Sequence, residues 1–427
     1  MVNPPSSRLA RGRLLVWGGF ALLLMLAPLA VSGSLALSIL SQIGIAIVAC
    51  LSYNILLGQG GMLSFGHAVY TGLASFVAIH ALNQVGHGLP VPVSLIPLVG
   101  GLAGAGFAIL LGFVTTRKAG TPFAMITLGI AELVFAMALM VPEFFGGEGG
   151  VSGNRTAGKP FMGITFGPPI QVYCLLAIYA FLCTAAMFAF TRTPLGRLLN
   201  AVRDNPERVE FVGYSTQRVR YLSFIIAGFF AGVAGGMYAL QFEIATAEVV
   251  GAARSGAYLL FTFLGGATFF FGPIIGAVLM VLAGVLLSEL TKAWLLYLGL
   301  VFLLMVMYAP GGVASLVMMN VRVAAFGRLR ELLPTYAGLG AALGVTLLGA
   351  GAVVEMIYHL QLNDTAGPEL MYLGLRLSVG SLVHWGTALA VLALGLAVLE
   401  AIRRPFAQRW AAIQQDIEAA VRRREGA

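Results

Sequence analysis

Glu132, His67, Ser64 and Thr127 are the side chains of this sequence whose chemistry is least in keeping with their surroundings, since each lies in or beside a long apolar run. Glu132 is the only acidic residue deep within such a run, 121–141. An ionised carboxylate at the centre of a bilayer costs about 2.5–3.5 kcal/mol on insertion scales, so Glu132 is expected to face the interior of a helix bundle. There it would serve a polar path or a hydrogen bond to a neighbouring helix. Glu289, Glu355 and Glu400 lie nearer helix ends and read as interfacial. His67 and Ser64 belong to Gly58-Gln59-Gly60-Gly61-Met62-Leu63-Ser64-Phe65-Gly66-His67-Ala68, which separates two apolar runs. Non-helical backbone at membrane depth survives only where protein or water satisfies it. The stretch therefore lines a cavity, or else it is a tight glycine-rich turn in the cytoplasm. His67 has no second histidine or carboxylate near it in sequence and reads more readily as hydrogen-bonded scaffold than as proton carrier or metal ligand.

Nothing in the pattern points to catalysis. Gly153-Asn154-Arg155-Thr156-Ala157-Gly158-Lys159 matches the first seven positions of a phosphate-binding loop, but Pro160 stands where a Ser or Thr would hold magnesium, and no strand precedes it. There is no His-Glu-x-x-His, no cysteine pair at zinc spacing and no Gly-x-Ser-x-Gly turn. Cys50, Cys174 and Cys183 fall inside apolar helices as small core residues. No metal or cofactor is expected.

The elements that must position these residues follow from composition. Of 427 residues, 59% are hydrophobic and 10% charged, which excludes a soluble globular domain and predicts an all-α polytopic membrane protein. Spans are expected at about 14–33, 35–57, 67–82, 93–116, 120–141, 171–191, 221–241, 257–271, 273–290 and 294–310, with an extra pair at 334–358 and 377–400. Gly265, Gly266, Gly272 and Pro273 fit either two short spans or a broken, re-entrant segment. Leu264-Gly265-Gly266 through Phe271-Gly272 also loosely echoes Leu57-Gly58 through Phe65-Gly66, as an internal repeat would. The 55 glycines, many inside apolar runs, allow close helix approach, and Gly340-Ala-Ala-Leu-Gly344 has close-packing spacing.

The one long charged interruption is 192–220. Its punctuation predicts two short helices: Thr193 caps the first with Pro194 at its first position, Asn205 caps the second with Pro206, and Gly213 stops it. Arg203 and Glu207, four apart, are placed to brace the junction. Such a loop is either a docking site for a soluble partner or a solvated connector that fixes topology. The positive-inside rule puts all 25 basic residues except Arg155, Lys159, Arg254, Lys292 and Arg376 on the cytoplasmic side, with both termini there. It accounts for the net charge of +8 without nucleic acid. Ala30-Val31-Ser32 resembles a cleavage site, but the preceding run is long for a signal peptide and reads as an uncleaved first helix. In the tail, Phe406, Trp410, Ile413, Ile417 and Val421 form one face of an amphipathic helix suited to the membrane surface or to a partner.

Several of these segments, taken together and in order, resemble the membrane permease subunits of branched-chain amino acid ABC importers. They are Leu56 to Ala68, Phe123-Ala124-Met125-Ile126-Thr127-Leu128, Pro194-Leu195-Gly196-Arg197 to Ala201-Val202-Arg203-Asp204-Asn205-Pro206-Glu207, Phe271 to Gly276, and Tyr308-Ala309-Pro310-Gly311-Gly312. The resemblance spans about 35–315. It implies that 192–220 docks on ATP-binding cassette subunits through Pro194, Leu195, Gly196, Arg203, Asp204, Asn205, Glu207 and Gly213. It further implies a second permease subunit, and a periplasmic or extracellular substrate-binding protein meeting Gly146, Gly147, Gly149 and Gly150 of the loop Glu143 to Pro169. The chain itself would be non-catalytic, in a bacterial cytoplasmic (inner) membrane. Gly58, Gly60, Ser64, Gly66, His67, Thr127 and Glu132 are the expected substrate path for a branched-chain or related amino acid. Alternatives are urea or another small polar solute, or a proton-coupled secondary transporter using Glu132 or His67. The expected organisation is a first span within 1–34, a permease core 35–316, a basic linker 317–333, an extra transmembrane pair 334–402 and an amphipathic cytoplasmic tail 403–427.

Overall fold

The computed structural model describes residues 6–30, 33–158, 164–362 and 369–425. The expected cleavage residues Val31 and Ser32, and Lys159 and Pro160 of the phosphate-loop look-alike, lie outside the described residues. In chain order the helices are α1 Ser6–Ala30, α2 Ser34–Asn54, α3 His67–Gly86, α4 Ile96–Thr115, α5 Thr121–Met140, α6 Pro142–Phe145, α7 Pro169–Arg192, α8 Pro194–Asp204, α9 Pro206–Phe211, α10 Thr216–Phe242, α11 Ala252–Gly265, α12 Gly272–Leu282, α13 Ser288–Leu290, α14 Trp294–Tyr308, α15 Gly312–Ala325, α16 Leu329–Leu362 and α17 Leu382–Glu425. Two small antiparallel pairings accompany them: β1 Val151–Ser152 with β2 Ile244–Ala245, and β3 Glu369–Tyr372 with β4 Leu375–Ser378.

Among the described residues, eight helices are long and apolar enough to cross a membrane, or nine if α14 and α15, bent by 51°, make one broken span. Three of the twelve expected spans drop out of that count: the first helix, which contributes only the shorter apolar stretch Leu15–Ala30, and α11 and α3. The 14 residues of α11 reach only about 21 Å, short of a hydrocarbon core of about 30 Å. The long α3 is buried along most of its length and so carries Thr71, Ser75 and Asn83, which a lipid-facing helix would not.

The chain divides into two compact units, Met1–Val285 with Leu304–Ala314, and Leu286–Leu303 with Ser315–Ala427. The first is built around α10, with α2, α3 and α4 packed about it. Gly228, Gly232 and Gly236 of α10 face Gly100, Gly104 and Ala108 of α4, and a Cβ on Gly232 would run into the Gly100 carbonyl. Small residues four apart on both helices bring the backbones together where no apolar side chain could fit. At Gly265 to Pro273 the chain breaks between a short helix, α11, and a stretch Gly272–Leu290 that is long and apolar enough to cross a membrane by itself. Their backbones meet at Gly265, Gly272 and Gly276, and the turn between them rests against the first glycine break, since Gly58 lies on the Ala267 carbonyl. The two stretches that echo each other in sequence thus touch.

In the second unit α16 and α17 run antiparallel across the β3–β4 hairpin, which the apolar pattern did not reveal. Gly349 lies on the Leu392 backbone and Gly395 on Thr346, whereas a Cβ on Gly340 or Gly344 would meet no neighbouring group within 4 Å. The Gly340–Gly344 motif is therefore not the packing face; Ala342, Thr346 and Gly349 lie on the opposite side of α16. α17 runs on through Pro405 to Glu425 as one helix. Its tail does not present a free apolar face: Ile413 and Ile417 are buried against Val323 and Leu332, with Phe406, Trp410 and Tyr336 around them. Glu355, two turns before the end of α16, accepts hydrogen bonds from Thr291 and Tyr297.

Candidate functional site

The stretch 55–68 is a polar knot buried in the first unit. α2 widens into a π-helical turn, Ile55–Gln59, and the freed backbone is satisfied by protein, with Gly61 N donating to the Leu57 carbonyl at 3.0 Å and Met62 N to the Leu56 carbonyl at 2.8 Å. Tyr53 donates to the Ser64 carbonyl (3.0 Å), Phe65 N to Thr127 Oγ1 (3.1 Å) and Ala68 N to Ser255 Oγ (3.0 Å). Ser52 gives its proton to the Ala49 carbonyl (2.7 Å), so His67 Nε2, 2.9 Å away, donates to Ser52 Oγ, and Nδ1 carries the lone pair. Ser64, His67 and Thr127 are all buried. Gly58, Gly60, Ser64, Gly66, His67 and Thr127, the expected substrate path, are all buried within this chain. Gly66 is pressed on the Thr127 carbonyl and hydrogen bonds through Ser52, Phe65, Ala68 and Ser255 join α2, α3, α5 and α11, while Asn54 Oδ1 and His67 Nδ1 are buried with no partner among the described residues. Glu132 likewise does not face the bundle. α5 buries Thr127, Ala131 and Val134, and Glu132, about 100° further round, is exposed on its outer face.

The charged loop folds as its punctuation predicts. Thr193 accepts from Gly196 N at 3.2 Å and Asn205 from Arg208 N at 3.0 Å, capping α8 and α9. Gly213, at φ +93°, closes α9 through its N–H to the Glu210 carbonyl (2.9 Å). The expected Arg203–Glu207 brace does not form. Arg203 pairs instead with Asp204 at 3.0 Å and donates to the Gly58 carbonyl, while Asn200 donates to Gln59 at 2.8 Å. A helical pair would need a continuous helix through Pro206, and the break turns Arg203 back toward the knot. The loop also carries what the motifs missed. Phe211 is 90% and Val212 70% exposed, with Tyr214 beside them. An apolar pair inside an otherwise charged loop was the available signal.

The opposite end of α10 is fastened by Arg155. Its guanidinium donates to the carbonyls of Phe166 (2.8 Å) and Leu240 (3.1 Å) and lies 3.6 Å from Glu243, whose carboxylate accepts from Arg155 N at 2.8 Å. The phosphate-loop look-alike is thus a structural clamp. Replacing Arg155 with alanine leaves several carbonyls and a carboxylate unpaired and is expected to cost roughly 3 kcal/mol, read as a lowered thermal midpoint in detergent; an unchanged midpoint would refute the clamp. Gly146, Gly147 and Gly150 adopt positive φ to make the turn into β1, and Gly150 lies on the Ala245 carbonyl, so of that loop Glu148 and Gly149 are the exposed tip. Beside this end, α2, α10, α11 and α12 enclose a cavity of about 260 Å³ into which Arg254 projects.

A family model described as the permease component of branched-chain amino acid transport systems matches residues 35–310, more than half of the chain. The chain belongs to this family. High-affinity branched-chain amino acid transport system permease proteins LivM are similar to it. That of Escherichia coli K12 is 28% identical over 291 residues, 63% of this chain and 67% of the relative. That of Salmonella typhimurium LT2 is 29% identical over 289 residues, with the same shares of the two chains. No solved structure matches. This permease is thus a multi-pass membrane protein, and membership favours an importer subunit over a proton-coupled carrier. The match ends at Pro310, so the last three helices lie beyond it. The knot, the capped loop and Arg254 all lie within it. Arg254 was missed because counting charges assigns it to a loop; the signal was a lone cation three residues ahead of the apolar run 257–264.

Proposed function

We propose that this permease is the non-catalytic, membrane-spanning half of an ABC importer for branched-chain or related amino acids in a bacterial cytoplasmic membrane, with both termini cytoplasmic. The observation that carries the reading is the loop 193–215. Phe211 and Val212 stand in solvent between capped helices, and α8 is tied through Arg203 and Asn200 to Gly58 and Gln59. A large exposed aromatic beside a rigid helix suits a partner's pocket, and a soluble ATP-binding cassette subunit is the partner that such a cytoplasmic loop serves. Motion of that partner would reach the polar knot through two side-chain hydrogen bonds. Pro194, Leu195, Gly196, Asp204, Asn205, Glu207 and Gly213 shape the docking element.

Glu132 supports a second permease chain. A carboxylate on the outer face of α5 cannot rest in lipid, so a partner permease covers it, and the path for a polar solute runs between the two chains with Glu132 on its wall. The exposed tip at Glu148 and Gly149 is the contact for an external substrate-binding protein.

The reading is tested by capture from native membranes in mild detergent. Wild type should bring down an ATPase subunit and a second permease. Phe211→Ser with Val212→Ser should lose the ATPase and keep the second permease. Wild type recovered alone, or an ATPase retained by the double variant, would count against it.

A further inference from the structure

The Arg254 cavity is set apart from the knot and from the charged loop. Arg254 lies in the first turn of α11, with Tyr258 one turn on, and its guanidinium carbon is 5.3 Å from the centre of the Tyr238 ring in the last turn of α10. Gln42 of α2 completes the polar lining. The opposing wall is apolar and largely buried, made of Ile45, Met280 and Val281. Among the described residues no carboxylate approaches Arg254 within ion-pair distance, and its hydrogen-bonding neighbour is the Tyr258 side chain. A guanidinium inside a helix bundle is costly and normally has a partner, so a half-buried one facing a cavity without an anion has the chemistry of a recognition group.

Size and lining narrow the ligand. A volume of about 260 Å³ falls just under the roughly 300–1,000 Å³ of pockets for drug-sized molecules, which suits one small solute and excludes a peptide. The guanidinium fork fits a carboxylate in two parallel hydrogen bonds. The buried aliphatic wall fits a short branched side chain, and the faces of Tyr238 and Tyr258 and the amide of Gln42 offer acceptor surface to an ammonium. Ser255, next to Arg254, accepts from Ala68 N, so the cavity wall is joined directly to the polar knot and through it to α8.

We propose that this cavity is a substrate site that holds a small apolar amino acid by its carboxylate on Arg254, with the side chain against Ile45 and Val281. The assignment rests on the importer reading above. It differs from that reading in naming a site within one chain, distinct from Glu132 and from the knot.

The test is equilibrium binding of radiolabelled leucine to the full-length chain in phosphatidylcholine nanodiscs, alongside leucine uptake by membranes bearing the assembled importer. Wild type should bind leucine. 4-Methylpentanoate, which keeps the carboxylate, should compete, and 3-methylbutylamine, which lacks it, should not. Arg254→Gln should weaken leucine binding roughly 10- to 100-fold, the worth of a charge-assisted hydrogen-bonded pair, and Arg254→Lys should weaken it less. Ile45→Trp fills the cavity without touching the cation and should also abolish binding, which guards against a folding defect in the arginine variants. Absence of leucine binding by wild type, equal binding by Arg254→Gln, or competition by the amine as strong as by the acid would overturn the site. Displacement of leucine by phosphatidylglycerol in wild type but not in Arg254→Gln would make it a lipid-phosphate site and overturn it too. The uptake arm separates the two levels. Leucine uptake by wild type with any of these negative results removes the site and leaves the importer reading standing. A failure of wild type to take up leucine or its analogues, with Arg254-dependent carboxylate binding intact, removes the substrate reading and leaves the cation site.

Discussion

Purified in mild detergent, a Gly232→Leu variant is expected to yield little monodisperse protein, a loss of about 4 kcal/mol or more that lies at the extreme of single substitutions. Leucine is the better helix former by about 1 kcal/mol, so local propensity predicts the opposite sign. Packing decides. The Cα of Gly232 lies against the Gly100 carbonyl and the Gly104 backbone, and α10 is the helix around which α2, α3 and α4 assemble. Backbone atoms cannot rotate away as a side chain end can, so the two helices must separate and their shared core with them. Gly340→Leu is the matching control. A Cβ on Gly340 would meet no neighbouring group within 4 Å, so the same change there should alter stability by less than about 1 kcal/mol. Size-exclusion profiles and thermal midpoints of the two variants check both halves, and equal behaviour would show that α4 and α10 do not pack as described.

Substituting Arg203 with alanine is expected to leave ATPase binding within about twofold of wild type while solute uptake falls roughly 10-fold, the lower end of the worth of a charge-assisted hydrogen bond, since the Arg203 side chain is 38% exposed. Arg203 lies away from the exposed Phe211 and Val212, and its guanidinium joins Asp204 on α8 to the Gly58 carbonyl at the head of the knot. Without it the docking helix keeps its shape, because its caps are Thr193 and Asn205, but one of two links to the membrane part is gone. Arg203→Lys should recover only part of the loss, since an ammonium cannot span both acceptors as a planar fork does. ATPase capture and uptake measured on the same membranes distinguish this outcome from simple undocking. Normal uptake in Arg203→Ala would mean that the link transmits nothing.

Much of the architecture was legible from local rules. Thr193-Pro194, Asn205-Pro206 and Gly213 located two helices and their ends because capping is settled within a few residues of chain. Gly265, Gly266, Gly272 and Pro273 marked the break between α11 and α12, because glycine and proline do not continue a helix through those positions. Errors arose where a residue's role depends on direction in space. Glu132 was expected inside because a carboxylate should avoid lipid, yet it is exposed on the outer face of α5. Ser64, Thr127 and His67 were expected on an open path because polarity in an apolar run suggests one. They are buried against other residues instead, His67 on Ser52 and Thr127 Oγ1 on Phe65 N, the latter a contact between residues 62 apart.

By itself the sequence determined an all-α membrane protein, the folded charged loop and the family of its permease core, since hydropathy, helix caps and ordered motifs are properties of short stretches. Only the tertiary structure decided that Arg203 reaches Gly58 and not Glu207, that α16 packs through Gly349 and not Gly340 or Gly344, and that Arg254 stands over a cavity. Each of these turns on which face of a helix meets which neighbour. Rotation by one residue, about 100°, exchanges a buried position for an exposed one, and only packing of distant segments selects between them.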